Sequence, residues 1–208
     1  MSGLAEWIAP GRTALLVVDM QVDFAASDGA MARLGADLSD VPAALAAAER
    51  LAEAARAADV PVVFLGISTS PADDPPAWKE WTRRRGGDPA TAFEVCRAGT
   101  IGTAFIGPHP RIDETVIAKL RYSGFHETDL DKELRAKGVD TLVVCGLTTD
   151  CCVDCTVRDA FHRDYHVILV RDACAAYERD LHEGALRLLE ANFALLAAAD
   201  DVVAAWTR

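Results

Sequence analysis

Apolar residues in this chain arrive in two rhythms. Short near-continuous runs, TALLVVD (13–19), PVVFLGI (61–67), TVIAK (115–119), the run opening at Thr141 and HVILV (166–170), have the length and β-branched content of buried strands. Between them lie stretches with apolar residues every three or four positions. One is VPAALAAAERLAEAARAA, with Leu45, Ala48, Leu51 and Ala55 on one face and Pro42 in the first turn. Another is TDLDKELRAKG, with Thr128 as a cap, acids in the first turn and Gly138 as the stop. A third follows Cys152, and a last helix is expected from Arg179 to Leu196, with DVVAAW (201–206) closing the chain as a short strand or tail. Buried strands alternating with helices imply a parallel sheet covered on both faces, a three-layer α/β/α domain over 1–208.

The rhythm fades between Ser68 and Glu114, where prolines, Gly86-Gly87 and the run Arg83-Arg84-Arg85 occur. A stretch of that length without periodicity reads as a lid or interface segment. Trp78 and Trp81 share a helical face there, and core or subunit packing is favoured over substrate contact for both. The arginine run reads as a solvated face.

Of 208 residues, 51% are hydrophobic and 25% charged, with a net charge of −11. That acidity argues against nucleic acid and anionic membranes as partners. No apolar run approaches the roughly 18 residues of a membrane span, and MSGLAEWIAPGR lacks the pattern of a secretion signal. Six irregularly spaced cysteines do not form a disulfide framework, so a reducing cytoplasm is expected.

In parallel sheets the binding crevice lies beyond the carboxyl ends of the strands. Three strands would deliver reactive groups there: Asp19, Lys119 and a cysteine following Gly146. A thiol in the first turn of a helix has its thiolate favoured by the helix end. Nucleophile, proton carrier and cation then interlock.

The motifs TALLVVDMQVDF, VIAKLRYSGF and VVCGLTTDCCVDCTVRDAF, in that order, resemble the isochorismatase-like cysteine hydrolases over nearly the whole chain. The resemblance implies an open six-stranded parallel, Rossmann-like sheet and a homodimer or homotetramer. With Gly146 and Thr149 at the fixed positions of the family motif, it assigns the nucleophile to Cys152, ahead of Cys151, with Asp19 and Lys119 as its partners. It further implies a cis peptide at Leu147–Thr148 and an oxyanion hole from the Thr148 and Cys152 N–H groups. The reaction expected is hydrolysis of a small amide, ureido or N-carbamoyl substrate through a thioester, without a cofactor. RYSGF is similar to the ureidoacrylate branch, where Tyr122 faces the substrate. Phe24 resembles a pocket wall, and Arg121 could pair with a substrate carboxylate or with its own fold. Nicotinamidase-like and biuret-type activities are the nearby alternatives; FLGISTSPADD lacks the histidines with which nicotinamidases hold metal, so no metal is expected.

Other readings carry less. Cys152 and Cys155 form a C-x-x-C, yet a redox role leaves Asp19 and Lys119 idle. Zinc on Cys145, Cys151 and Cys155 lacks a second paired motif, and His162 with His166 would need one continuous helix where a strand is expected. A non-catalytic binding subunit is the alternative outside enzymology.

Overall fold

A computed structural model describes residues 3–207. Along the chain the main elements are β1 (Thr13–Val18), α1 (Val41–Ala57), β2 (Val62–Ile67), α2 (Pro76–Arg84), β3 (Thr115–Lys119) and α3 (Leu130–Ala136). There follow β4 (Thr141–Leu147), α4 (Asp154–Phe161), β5 (His166–Ala175), α5 (Arg179–Asn192), β6 (Leu195–Ala197) and α6 (Ala199–Trp206). The six strands form one sheet in the order β3-β2-β1-β4-β5-β6, and every neighbouring pair is parallel. This is the expected α/β architecture.

Alternate residues of each central strand serve opposite layers. Leu15 and Val17 of β1, with Val143 and Cys145 of β4, pack under the small face of α1 (Ala44, Ala48, Leu51, Ala55) and under Val202 and Trp206 of α6. Leu16, Val18, Leu142 and Val144 face the other way, onto α3, α4 and Leu189 of α5. An alanine face lets α1 lie close on the sheet, and helices on both faces explain why the strands read as unbroken apolar runs.

Two expectations at the C-terminus change. Residues 199–206 form a helix: Asp200 and Asp201 sit in its first turn, where acids suit the positive helix end, and Ala199, Val202 and Trp206 are buried at helical spacing. The sixth strand is instead Leu195–Ala197, taken from what reads as the end of α5, which stops at Asn192. Three residues at a sheet edge are too few for a period-2 pattern to emerge.

Within the 68–114 stretch, α2 and two single-turn helices (Pro89–Ala92 and Ile101–Thr103) fold across the carboxyl end of the sheet. Two polar residues that follow β1 hold it there. The buried Gln21 amide donates to Ile67 O and Thr103 O, both at 2.9 Å, and accepts from Ile67 N at 2.8 Å. The buried Asp23 carboxylate accepts from Cys96 N at 2.7 Å and Ala30 N at 3.1 Å. A buried carboxylate needs such donors, and these two come from segments without periodicity of their own.

Candidate active site

The carboxyl ends of β1, β3 and β4 build the site. Asp19 follows β1 directly, with φ of +47°, a left-handed conformation that aspartate tolerates better than most residues. Such strained positions gather at functional sites. Gly146, across the sheet from Val18, has φ of +142°, and a Cβ there would lie 2.2 Å from Val18 O. Only glycine lets β4 pass that close to the peptide carrying Asp19. Lys119 ends β3 in register with Ile67 of β2, so its long side chain must reach past β2 to the end of β1.

It does reach. Lys119 Nζ lies 2.7 Å from Asp19 Oδ2, with the two side chains 0% and 1% exposed. The ammonium also donates to Arg121 O at 3.0 Å. The contact is held by charge: neither Asp19 oxygen has a well-aligned hydrogen bond among the described residues. The Cys152 thiol faces the same carboxylate. Beyond β4, the Leu147–Thr148 peptide is cis, and Thr149–Val153 form a wide π-type turn that leads into α4. Thr148 O accepts from Cys151 N and Val153 N, both at 3.1 Å, which fixes the turn around Cys152. Thr149, buried after the cis peptide, meets His182 Nδ1 of α5 through its hydroxyl at 2.8 Å.

Burial sets the electrostatics. It raises the Asp19 carboxyl above its ordinary range, with the Lys119 charge and the Cys152 thiol pulling the other way. For Lys119, burial disfavours the charge, but Asp19 and Cys152 outweigh it and the ammonium is held above the usual lysine value. A hydrogen bond with Cys151, burial and the Asp19 charge push the Cys152 thiol well up, against the pull of Lys119. Burial and these neighbours therefore oppose the helix end, which favours the thiolate. Cys152 lies in the turn ahead of α4, and one buried cation cannot balance two anions. These directions favour a charged Lys119 and a protonated Cys152. Moving the thiol proton to Asp19 leaves the total charge unchanged, so that transfer avoids burying a second net charge.

Above the cluster opens a cavity of about 330 Å³, lined by Asp19, Thr148, Cys151 and Cys152, and by Phe24, Tyr122, Trp78, Trp81, Phe93 and Tyr177 among others. Phe24 and Tyr122 thus line it. Packing is favoured by sequence for both tryptophans; Trp78 does both, stacking on Tyr122 at 4.7 Å and on Phe93 at 6.1 Å while facing the cavity. Trp81 is 57% exposed at its wall. Arg121 does not line the cavity. Its Nη1 donates to Leu120 O at 2.8 Å and its guanidinium lies 5.8 Å from the Trp78 ring, contacts with its own fold.

Sequence reasoning missed Tyr177, whose hydroxyl donates to Phe24 O at 2.9 Å and fixes that wall. It also missed Gln21 and Asp23. The signal for those two was present in MQVDF: polar residues alternating directly after a buried strand.

The remaining cysteines do not assemble into another centre. All six are free. Cys145 belongs to the sheet face opposite Cys152, and burial pushes the Cys155 thiol up to about 11. His162 ends α4 and His166 opens β5, both at the surface. Among the described residues no group of three or more His, Cys, Asp or Glu is arranged to hold a metal ion, and no helix is long and apolar enough to cross a membrane.

Known proteins resemble this chain in sequence and in fold. The sequence pattern of the isochorismatase domain matches residues 13–201. A ureidoacrylate amidohydrolase RutB of Methylobacterium radiotolerans is 37% identical over 196 residues, 88% of this chain and 75% of that one. The crystal structure of a cysteine hydrolase from Pseudomonas syringae pv. phaseolicola is similar with a TM-score of 0.83 at 30% identity, covering 97% of this chain and 95% of that one. An N-carbamoylsarcosine amidase from Thermoplasma acidophilum is similar with a TM-score of 0.71 at 30% identity, covering 91% and 97%. The chain therefore belongs to the isochorismatase family, as an amidohydrolase.

Proposed function

We propose that the chain hydrolyses the C–N bond of a small amide, ureido or N-carbamoyl compound with Cys152 as nucleophile. The observation that carries this reading is the buried Lys119–Asp19 pair at 2.7 Å with the Cys152 thiol against the same carboxylate. A charged pair without solvent and without well-aligned hydrogen bonds is costly, and a site that must move a proton gives it a use.

The substrate carbonyl enters above Cys152. Asp19 takes the thiol proton as the sulfur attacks, and the Thr148 and Cys152 N–H groups receive the developing oxyanion. Lys119 keeps the cluster's charge balanced throughout. Asp19 returns its proton to the departing nitrogen, which leaves as ammonia or an amine, and a thioester remains on Cys152. A water then loses a proton to Asp19 and attacks the thioester; the acid departs and the thiol regains its proton. Phe24 and Tyr122 serve as pocket walls, and the 68–114 segment serves as wall and lid. No cofactor takes part. The expected homodimer or homotetramer belongs to the same proposal.

Ammonia release from a panel of ureido acids, biuret, nicotinamide and simple amides tests it. Cys152→Ala should lose activity on the order of ten-thousand-fold with the fold intact by circular dichroism. Cys151→Ala should lose less than about tenfold, since its thiol lines the cavity beside the nucleophile but does not react. Substantial turnover by the Cys152 variant removes the nucleophile assignment, and equal losses at both positions move it.

A further inference from the structure

Ureidoacrylate and N-carbamoylsarcosine, the compounds in the names of two relatives, each carry a carboxylate. A site for such a substrate needs a cation to replace the water that the carboxylate loses. The cavity offers none: among the described residues lining it there is no lysine, arginine or histidine. Its ionisable acids are Asp19 and Asp74. Four nearby cations have partners of their own, while Arg85, 4.8 Å from the Trp81 ring, does not line the cavity. Arg97 grips Asp74 at 2.6 and 3.0 Å, and Lys79 lies 3.7 Å from the same carboxylate. Arg121 sits behind Trp78, bonded to backbone carbonyls. Lys119 is spent on Asp19 beneath the cavity floor.

What the cavity does offer is apolar surface. Phe93, Trp78 and Tyr122 form a continuous stack along one side, with Trp81 beside them. Met31 and Leu34 line it too, and Leu34 is 49% exposed. The stacked rings cover one another's faces and leave their edges to the cavity, and such a wall holds uncharged, apolar groups through burial and edge-to-face contact. An anion placed there would be desolvated without a partner and would meet the Asp19 charge at the reacting end.

We infer that the substrate is an uncharged amide or ureido compound whose non-reacting part is apolar, preferably one planar ring, held against the Trp78–Trp81 wall. This rests on the amidohydrolase reading above and narrows its substrate class. The nucleophile is unaffected by the choice; the wall alone decides it.

Matched pairs differing only in charge test the selection: 3-ureidopropionate against its methyl ester, and 4-carboxyphenylacetamide against phenylacetamide. The neutral member of each pair should have the higher kcat/KM by about tenfold or more, and calorimetry on Cys152→Ala should show the same order of binding. Trp81→Ala should raise KM for phenylacetamide about tenfold with kcat little changed. Leu34→Arg, which adds a cation at an exposed wall position, should shift the ratio of each pair towards the anion by about tenfold. Equal or tighter binding of the anions by the Cys152→Ala protein overturns the inference, whether or not the enzyme turns them over. Neutral-selective binding without hydrolysis of any pair supports the inference and instead removes the hydrolytic reading.

Discussion

Each end of the sheet carries an ion pair of the same length, and the two pairs mean different things. At the amino edge, Arg12 precedes β1 and Asp140 precedes β4, with Nη2 and Oδ2 2.7 Å apart and side chains 46% and 40% exposed. At the carboxyl edge, Lys119 and Asp19 are also 2.7 Å apart, with side chains 0% and 1% exposed. Water screens the first pair, and it contributes little. The second has lost its water and keeps its charges only because each compensates the other. Cavity size points the wrong way. The cleft beside Arg12, lined also by Trp7, Phe161, His166 and Leu195, is about 570 Å³, larger than the one above Cys152. It holds no buried charge and no thiol. Reactive chemistry follows desolvated charge rather than volume.

Breaking the pairs separates the two edges. Lys119→Met strands Asp19 as an uncompensated buried charge and should cost about 3–5 kcal/mol of folding stability by urea unfolding, together with nearly all activity. A loss below 1 kcal/mol would mean that water reaches the pair. Gly146→Ala should come next, at about 3 kcal/mol, because its Cβ would sit 2.2 Å from Val18 O and must push the β1 end and Asp19 away. Its activity should fall more than its stability explains, which comparison of kcat at a temperature where both proteins are folded would show. Arg12→Met, at the far edge, should change stability by less than about 1 kcal/mol and leave kcat unaltered.

The same contrast explains what could be read from sequence. Strands such as TALLVVD and HVILV are buried on both faces, so their residues carry the signal without reference to any partner. Asp19, Lys119 and Cys152 were legible for a related reason: each directly follows or ends a strand or turn, and parallel strands bring those ends to one edge. What surrounds them was less legible. The state of the Cys152 proton depends on Asp19 and Lys119 arriving through space, which a local helix-end argument does not contain. Trp78 and Trp81 line the cavity together with Tyr177, almost 100 residues further along the chain, and only the folded arrangement turns packing residues into a wall. Arg121 looked available because nothing in RYSGF shows that Trp78 stacks in front of it. β6 was hidden by its three-residue length, and α6 by an apolar ending that fits either period.

The central claim is that Cys152 and Asp19 compete for one proton under one buried cation. Titrating the thiolate by its ultraviolet absorbance, as the difference between the unaltered protein and Cys152→Ala, measures this directly. The Cys152 thiol should titrate above the ordinary thiol range, because Cys151, burial and the Asp19 charge all oppose the thiolate. In Asp19→Asn, with one anion removed and Lys119 still charged, it should titrate at lower pH. A thiolate already formed at neutral pH in the unaltered protein, or a thiol titrating higher in Asp19→Asn, would contradict the account.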